Sequence, residues 1–395
     1  MQGILSHIKL HRRRYAIVVS FLVMFLLKAI NVRWNFRNIG NAETEKEDVL
    51  RRSNYLKTQL LVAPENLVSS MPKLIGEQFQ GEWAIYSCSM YAQALVNMAR
   101  LYPETKSDAV NSIDKLIALV KSPELKLYDF MRWGEDPLDN LDSDNSHISY
   151  LSHLAWIIGN YKSLGGDGKY DQLYHDICST MNRRIKSRPN YNLETYPGEV
   201  IYIPDMCVAI VALKQYSDIY HGQYLSTVNK WVRLMQAEAA KNDLGLIPSF
   251  INETDETNGA NESDDVLPLK GSYTALTCYY LTMIDADFAY DQYEKMKSAF
   301  LQKHFIKGLR EYNDRFCLFG MDLDAGPIIM NLSPTGTAFA VGTLTHFHDD
   351  KLRRSFMKTA EIAGQTISLG AESHYLLANI ALVGESIMLA MRTSW

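Results

Sequence analysis

Asp322 and Asp324 stand two residues apart in Phe319-Gly320-Met321-Asp322-Leu323-Asp324-Ala325-Gly326-Pro327, and chemistry is first sought there. Two neighbouring carboxyl groups can divide proton donation and proton abstraction between them. Gly326-Pro327 and Ser333-Pro334 each favour a turn or extended loop. Ile328, Ile329, Met330 and Leu332 run between those signals, so the segment is expected to be a partly buried loop with both acids at its start. Buried acids cost several kcal/mol unless paired or hydrogen-bonded. Helix capping or bracing of the loop would account for the pair as well as catalysis does.

Further acids and aromatics recur along the chain. Glu199 sits in a Tyr196-Pro197-Gly198-Glu199 turn shortly before Tyr202. Asp205 follows Pro204 at a helix start, where it is either a first-turn acid favoured by the helix dipole or a cavity group. Gly81-Glu82-Trp83, Tyr128-Asp129 with Trp133, His147, Lys270 with Tyr273, and Glu372 with His374 complete the set. The expected catalytic carboxyls are Asp322, Asp324, Glu199 and Asp205. Tyr196, Tyr202, Trp83, Trp133, Asp129, His147, Tyr273, Glu372 and His374 are the expected substrate contacts. Aromatic platforms beside acids suit a sugar, whose apolar faces stack while its hydroxyls need polar partners. Capping explains Glu372 equally well, and a histidine placed like His147 is more often structural than a ligand. His346-x-His348 reads as a surface pair at a helix end, and no metal or cofactor is expected. HExxH, GxSxG and P-loop patterns are absent, which disfavours zincin, α/β-hydrolase and NTPase chemistry.

Helices must position these groups, because alternating strand patterns are scarce. Helical spacing is read over 43–61, 84–101, 108–120, 147–161, 170–185, 205–220, 224–240, 272–283, 290–304, 334–348, 351–365 and 371–391. Long loops are expected at 128–145 and 245–271. The helices come in pairs. One member of each pair is rich in small and aromatic residues, as in Thr274-Ala275-Leu276-Thr277-Cys278-Tyr279. The other carries charge, as in Asp350-Lys351-Leu352-Arg353-Arg354. Low-charge helices belong inside and charged amphipathic ones outside. An all-α toroid of six hairpins is therefore the expected architecture, with the loops feeding the inner helices gathered at one end.

The 395 residues are 47% hydrophobic and 22% charged, an ordinary globular balance. A net charge of -5 leaves no basic footprint for nucleic acid. Five dispersed cysteines form neither a disulfide framework nor a zinc pattern. Arg12-Arg13-Arg14 precedes an apolar run from Ala16 to Leu27, with no small-residue cleavage site after it. Residues 1–32 therefore read as an uncleaved signal anchor, 33–43 as a linker, and 44–395 as the toroid domain outside the cytoplasm. Asn252, Asn261 and Asn331 head Asn-x-Ser/Thr sequons, which matter only in a eukaryotic secretory pathway.

Helical hairpins fed by loops bearing acids and aromatics resemble the six-hairpin (α/α)6-toroid superfamily of glycosidases, polysaccharide lyases and sugar epimerases. Linalool dehydratase/isomerase enzymes and terpene-cyclising relatives share that toroid. The resemblance spans roughly residues 45–395 and is architectural, so it implies function by analogy alone. The Asp322-x-Asp324-x-Gly326-Pro327 stretch is similar to a motif in membrane-attached bacterial proteins of unassigned function. The leading expectation is a membrane-anchored enzyme, facing the periplasm or cell surface, that hydrolyses a glycan or glycoconjugate with paired carboxyl groups. A lyase, epimerase or dehydratase-isomerase is the second, and a non-catalytic glycan-binding or assembly protein within an envelope complex is the third.

Overall fold

The computed structural model describes residues 12–72, 76–251, 269–303, 306–322 and 326–395. Asp324, Asn252 and Asn261 lie outside them. Helix α1 (Arg12–Asn35) has 24 residues, about 36 Å at 1.5 Å per residue, against a bilayer core of about 30 Å. Its apolar side chains are exposed almost throughout, and it is long and apolar enough to cross a membrane. The chain then folds into α2 (Ala42–Leu60), α3 (Pro64–Ser70), α4 (Glu77–Leu101), α5 (Lys106–Val120), α6 (Pro123–Trp133), α7 (Ile148–Ser163) and α8 (Asp171–Ser187). After these come α9 (Ile203–Ile219), α10 (Leu225–Ala239), α11 (Gly271–Leu281), α12 (Ala286–Phe300), α13 (Pro334–His346), α14 (Asp350–Gly364) and α15 (Leu382–Arg392). Short antiparallel ribbons punctuate the helices: β1 (Ile201–Tyr202) with β2 (Phe250–Ile251), β3 (Leu301–Gln302) with β4 (Gly308–Leu309), β5 (Phe319–Asp322) with β6 (Gly326–Ile329), and β7 (Thr366–Leu369) with β8 (Glu372–Tyr375).

The protein is thus mostly helical, and its helices sort by composition as expected. Every residue of α11 is buried, and α7 is buried from Ile148 to Tyr161. Helices without a polar face can only sit inside. α4 packs on α7, α7 on α9, α9 on α11, α11 on α13, α13 on α15, and α15 back on α4. These neighbours run parallel. Asn160 of α7 accepts from Gln215 of α9 at 2.9 Å, both late in their helices. Gly336, early in α13, lies so close to Ser272, early in α11, that a Cβ would come within 3.0 Å of its Cα. The charged helices cover the outside: α5 on α4 and α7, α8 on α7 and α9, α10 on α9, α12 on α11, α14 on α13, and α2 on α15 and α4.

A buried ionic clasp joins α2 to α15. Arg52 of α2 pairs with Asp48 at 2.9 Å and with Glu385 of α15 at 2.6 Å, and Arg392 reaches Asp48 at 2.5 Å. Burial raises the Asp48 pKa, but Arg52 and Arg392 overcome that and bring it down to about 2. The 33–43 stretch holds the end of α1, a 3-10 turn at Phe36–Asn38 and the Asn41 cap of α2. Asn35 ties it down by donating to Glu361 Oε1 at 3.0 Å and to the Thr366 carbonyl at 3.3 Å.

Three expectations need correction. Residues 128–133 belong to helix α6 and not to a loop. The region 371–391 is not one helix, because β8 and a 3-10 turn (Leu376–Asn379) precede α15. The Asp322 segment is a β-hairpin rather than a partly buried loop. Ile328 turns inward at 1% exposure, while Phe319, Met321 and Ile329 stand 73%, 74% and 53% exposed. Period-two alternation within a ribbon puts successive side chains on opposite faces, which the apolar run in the sequence conceals.

Candidate functional site

Local signals set α6 in place. The Ser122 hydroxyl accepts from the Leu125 amide, Pro123 opens the helix, and Gly134 closes it in a left-handed conformation at φ 76°. The helix delivers Tyr128 and Asp129 inward, and both are buried. His147 precedes α7 with φ 48°, a strained conformation for a non-glycine residue. That backbone sends its imidazole between two acids: Nδ1 lies 2.5 Å from Asp129 Oδ1, and Nε2 lies 3.1 Å from Glu135 Oε1. Glu135 also accepts from Ser143 at 2.5 Å and from Asn145 at 2.8 Å. Burial pushes the Glu135 pKa up, but these bonds and His147 outweigh it and leave it below the usual range. At Asp129 burial wins over His147, and the carboxyl is held above the usual range. Asp129 and His147 are fully enclosed, so they brace the site from behind and do not line it.

α4 and the loop before α9 adjoin this cluster. Glu82, Trp83 and Tyr86 lie on successive turns of α4 and are half-buried. The Tyr196 hydroxyl donates to Glu82 Oε2 at 2.7 Å. Arg132 covers the Tyr196 ring at 4.4 Å and pairs with the exposed Glu199 at 3.3 Å. Asp205, in the first turn of α9, is buried and accepts from Thr195 Oγ1 at 2.9 Å. The Tyr128 hydroxyl titrates far above its ordinary value. Burial is the main cause, followed by the charges of Asp129 and Glu82, with Asp205 adding to them. The charges of carboxyl groups from three helices thus act on one phenol, whose own hydroxyl meets Ser149 Oγ at 3.2 Å.

One turn deeper along α4, Tyr86 meets Tyr280 of α11, hydroxyl to hydroxyl at 2.8 Å. The two helices are not neighbours in the succession, so this contact spans the interior between them. Beside it, His153 Nδ1 lies 2.7 Å from Ser89 Oγ, and the His153 and Tyr86 rings are 4.7 Å apart. Burial pulls the His153 pKa down to about 3, so the imidazole is neutral.

Other expected residues fall elsewhere around the same end. Tyr202 and Tyr273 meet edge to face at 5.2 Å, with Phe250 against both. Asp322 is held by Lys270 at 2.6 Å, and Lys270 lies over the Tyr273 ring. Trp133 packs against His147 at 5.2 Å. Glu372 accepts from Thr58, and His374 stacks on Tyr55 at 4.0 Å, both against α2. Asn331 is buried, donating to the Tyr312 and Arg315 carbonyls, so its sequon is closed off.

Sequence reasoning passed over Glu311. It is buried and binds the Ser272 hydroxyl at 2.8 Å and the Ser272 amide at 3.3 Å. Burial raises its pKa and the Asp322 charge adds to the rise, against hydrogen bonds from Ser272 and Ser333. Glu311 ties together the starts of α11 and α13. Nothing in Leu309-Arg310-Glu311-Tyr312 distinguishes it from a surface acid. Glu82 was in view within Gly81-Glu82-Trp83, but its pairing with Tyr196, 114 residues away, is a product of the fold. No family model matches the chain, and a search of curated proteins finds no match.

Proposed function

We propose that the closed succession of six helices is the inner ring of an (α/α)6 toroid. In this reading its N-terminal end is the acid–base site of a membrane-anchored enzyme acting on a glycan or glycoconjugate. The observation that carries the reading is Glu82, held by the Tyr196 hydroxyl at 2.7 Å, with half-buried Trp83 and Tyr86 on the same helix. Glu82 and Asp205 are the working carboxyl pair. One protonates the departing oxygen, while the other activates water or attacks the sugar. Asp129, His147 and Glu135 hold α6 and α7 in register behind them, and Trp83, Trp133 and Tyr202 offer stacking faces. The catalytic role moves away from Glu199 and Asp322, since each is neutralised by a cation at the rim. The denser basic cluster at Arg12–Arg14 favours an N-terminus in the cytoplasm and a toroid outside it.

A second reading, dehydration or isomerisation, draws on the Tyr86–Tyr280 hydroxyl pair, which could relay a proton away from bulk water. The test incubates full-length protein in lipid nanodiscs with a panel of glycans and glycoconjugates, followed by mass analysis of the products. Uptake of water across a glycosidic bond supports hydrolysis. Unsaturated or isomerised products transfer the site to the second reading, and binding without turnover across the panel would remove the enzyme reading.

A further inference from the structure

The direction in which α1 leaves the body decides which face of the protein meets the bilayer. Gly40 lies against Arg354, near the start of α14. Asn35 bonds Glu361, two turns further along that helix. Met24, Leu27, Lys28 and Asn31 then border a crevice with Gln365, just past its end. The start of α14 sits beside the C-terminal ends of the inner helices, since Arg353 bonds Thr345 of α13 and the Arg392 carbonyl of α15. Followed back from Gly40, the chain therefore climbs along α14 toward the N-terminal ends of the inner helices. The apolar part of α1 projects beyond that end, where Glu82 and Asp205 lie.

The same end carries the exposed apolar surface of the body. The β5–β6 hairpin, tied there through Asp322 and Lys270, presents Phe316, Leu318, Phe319 and Met321 at 67–74% exposure. The turn before α15 presents Leu377 and Ile380 at 48% and 69%, and its Leu376 amide bonds the Gln365 carbonyl beside α1. At the opposite end, the large apolar side chains exposed among the described residues are Tyr290 and Trp395. A patch of this kind on one face marks a surface that meets an apolar partner. The Leu376–Ile380 part of it adjoins, through Gln365, a helix long and apolar enough to cross a membrane, which points to lipid as that partner.

We propose that the open end of the ring lies on the bilayer, with the β5–β6 hairpin and the Leu376–Ile380 turn dipping among the lipids. The substrate is then an amphiphile held in the membrane, with its polar head turned toward the end that carries half-buried Glu82. This rests on the reading of that end as the reaction site. The membrane contact is tested by a measurement that does not involve turnover.

Nitroxide labels are placed singly at Met321→Cys and Leu377→Cys in a Cys317→Ser background, with full-length protein in phosphatidylcholine–phosphatidylglycerol nanodiscs. Phe25→Cys serves as the reference in the span, and Lys351→Cys as the reference in water at the far end. Collision with oxygen and with a water-soluble nickel chelate reports depth. The expected result is that labels at 321 and 377 lose nickel collision and gain oxygen collision relative to 351, approaching 25. Two results would overturn the proposal. One is nickel collision at 321 and 377 equal to that at 351. The other is shielding from both reagents together with dipolar broadening between labels, which means that a second copy covers the face. If residue 25 itself reads as water-exposed, the anchor assignment fails, and the membrane contact fails with it. Hydrolysis lost or retained leaves these readings untouched.

Discussion

Glu82 accepts a hydrogen bond from the Tyr196 hydroxyl at 2.7 Å, and on the proposed reading that bond orients a working carboxylate. A hydrogen bond to a charged group contributes about 1.5–3 kcal/mol. Tyr196→Phe is accordingly expected to lower kcat by roughly 10- to 100-fold with little change in thermal stability, as steady-state rates and calorimetry would show. Glu199→Gln, in contrast, removes a rim ion pair at the surface and should leave kcat within about twofold. His153 makes a different prediction, about pH. Its folded pKa of about 3 lies below the unfolded value of about 6.5, so between those limits the unfolded chain binds the extra proton. Stability is full above pH 6.5 and falls as pH drops toward 3, by an amount on the order of several kcal/mol. Chemical denaturation across that range should show the loss in the native protein and a flatter profile in His153→Gln. These residues were visible in the sequence as types, and the acids near 82, 129 and 205 were readable as loop or helix-start groups. Which of them would be enclosed and which open was not, because exposure is decided by how the helices pack, as where Tyr196 meets Glu82 from 114 positions away.

Helix composition was the most legible level. Small, uncharged helices such as α11 and α13 announce an interior by having no polar face, and charged ones such as α14 announce an exterior. Ribbon and short helix were less legible. In α6 the Ser122-Pro123 start and the Gly134 stop were present, but the acids around them read as loop. In β7–β8 the residues from Ala371 onward suit a helix, and the pairing of Ser368 with Ser373 comes from the turn at Gly370. Element packing also sets two sharp tests. A Cβ on Gly271 would lie 1.9 Å from the Arg310 carbonyl oxygen, a backbone atom that cannot swing aside. Gly271→Ala should cost about 1–3 kcal/mol or more in unfolding free energy by prising α11 from the β4 segment. Arg52→Met leaves Glu385 and Asp48 buried with less compensation, and a loss of about 3–5 kcal/mol is expected. Thermal melts of the purified full-length protein would report both.

At the scale of the whole molecule, the hairpin rhythm pointed toward a ring, and the packing of α15 on α4 supports that reading. The α2 clasp at that junction joins residues more than 300 positions apart, a contact that no local pattern encodes. The apolar N-terminal helix was equally plain in the sequence, but its course along α14 was not, and on the proposal made above that course decides which end would face a bilayer. Ring, anchor and carboxyl pair converge on one claim: chemistry occurs at the N-terminal end of the inner helices through Glu82 and Asp205. The most direct test measures turnover of the best glycoconjugate by full-length protein in nanodiscs, comparing the native chain with Glu82→Gln and Asp205→Asn. General acid–base groups contribute about 10²- to 10⁴-fold, so each variant should lose that much in kcat while its melting temperature stays near native. Native rates in both variants would contradict the account.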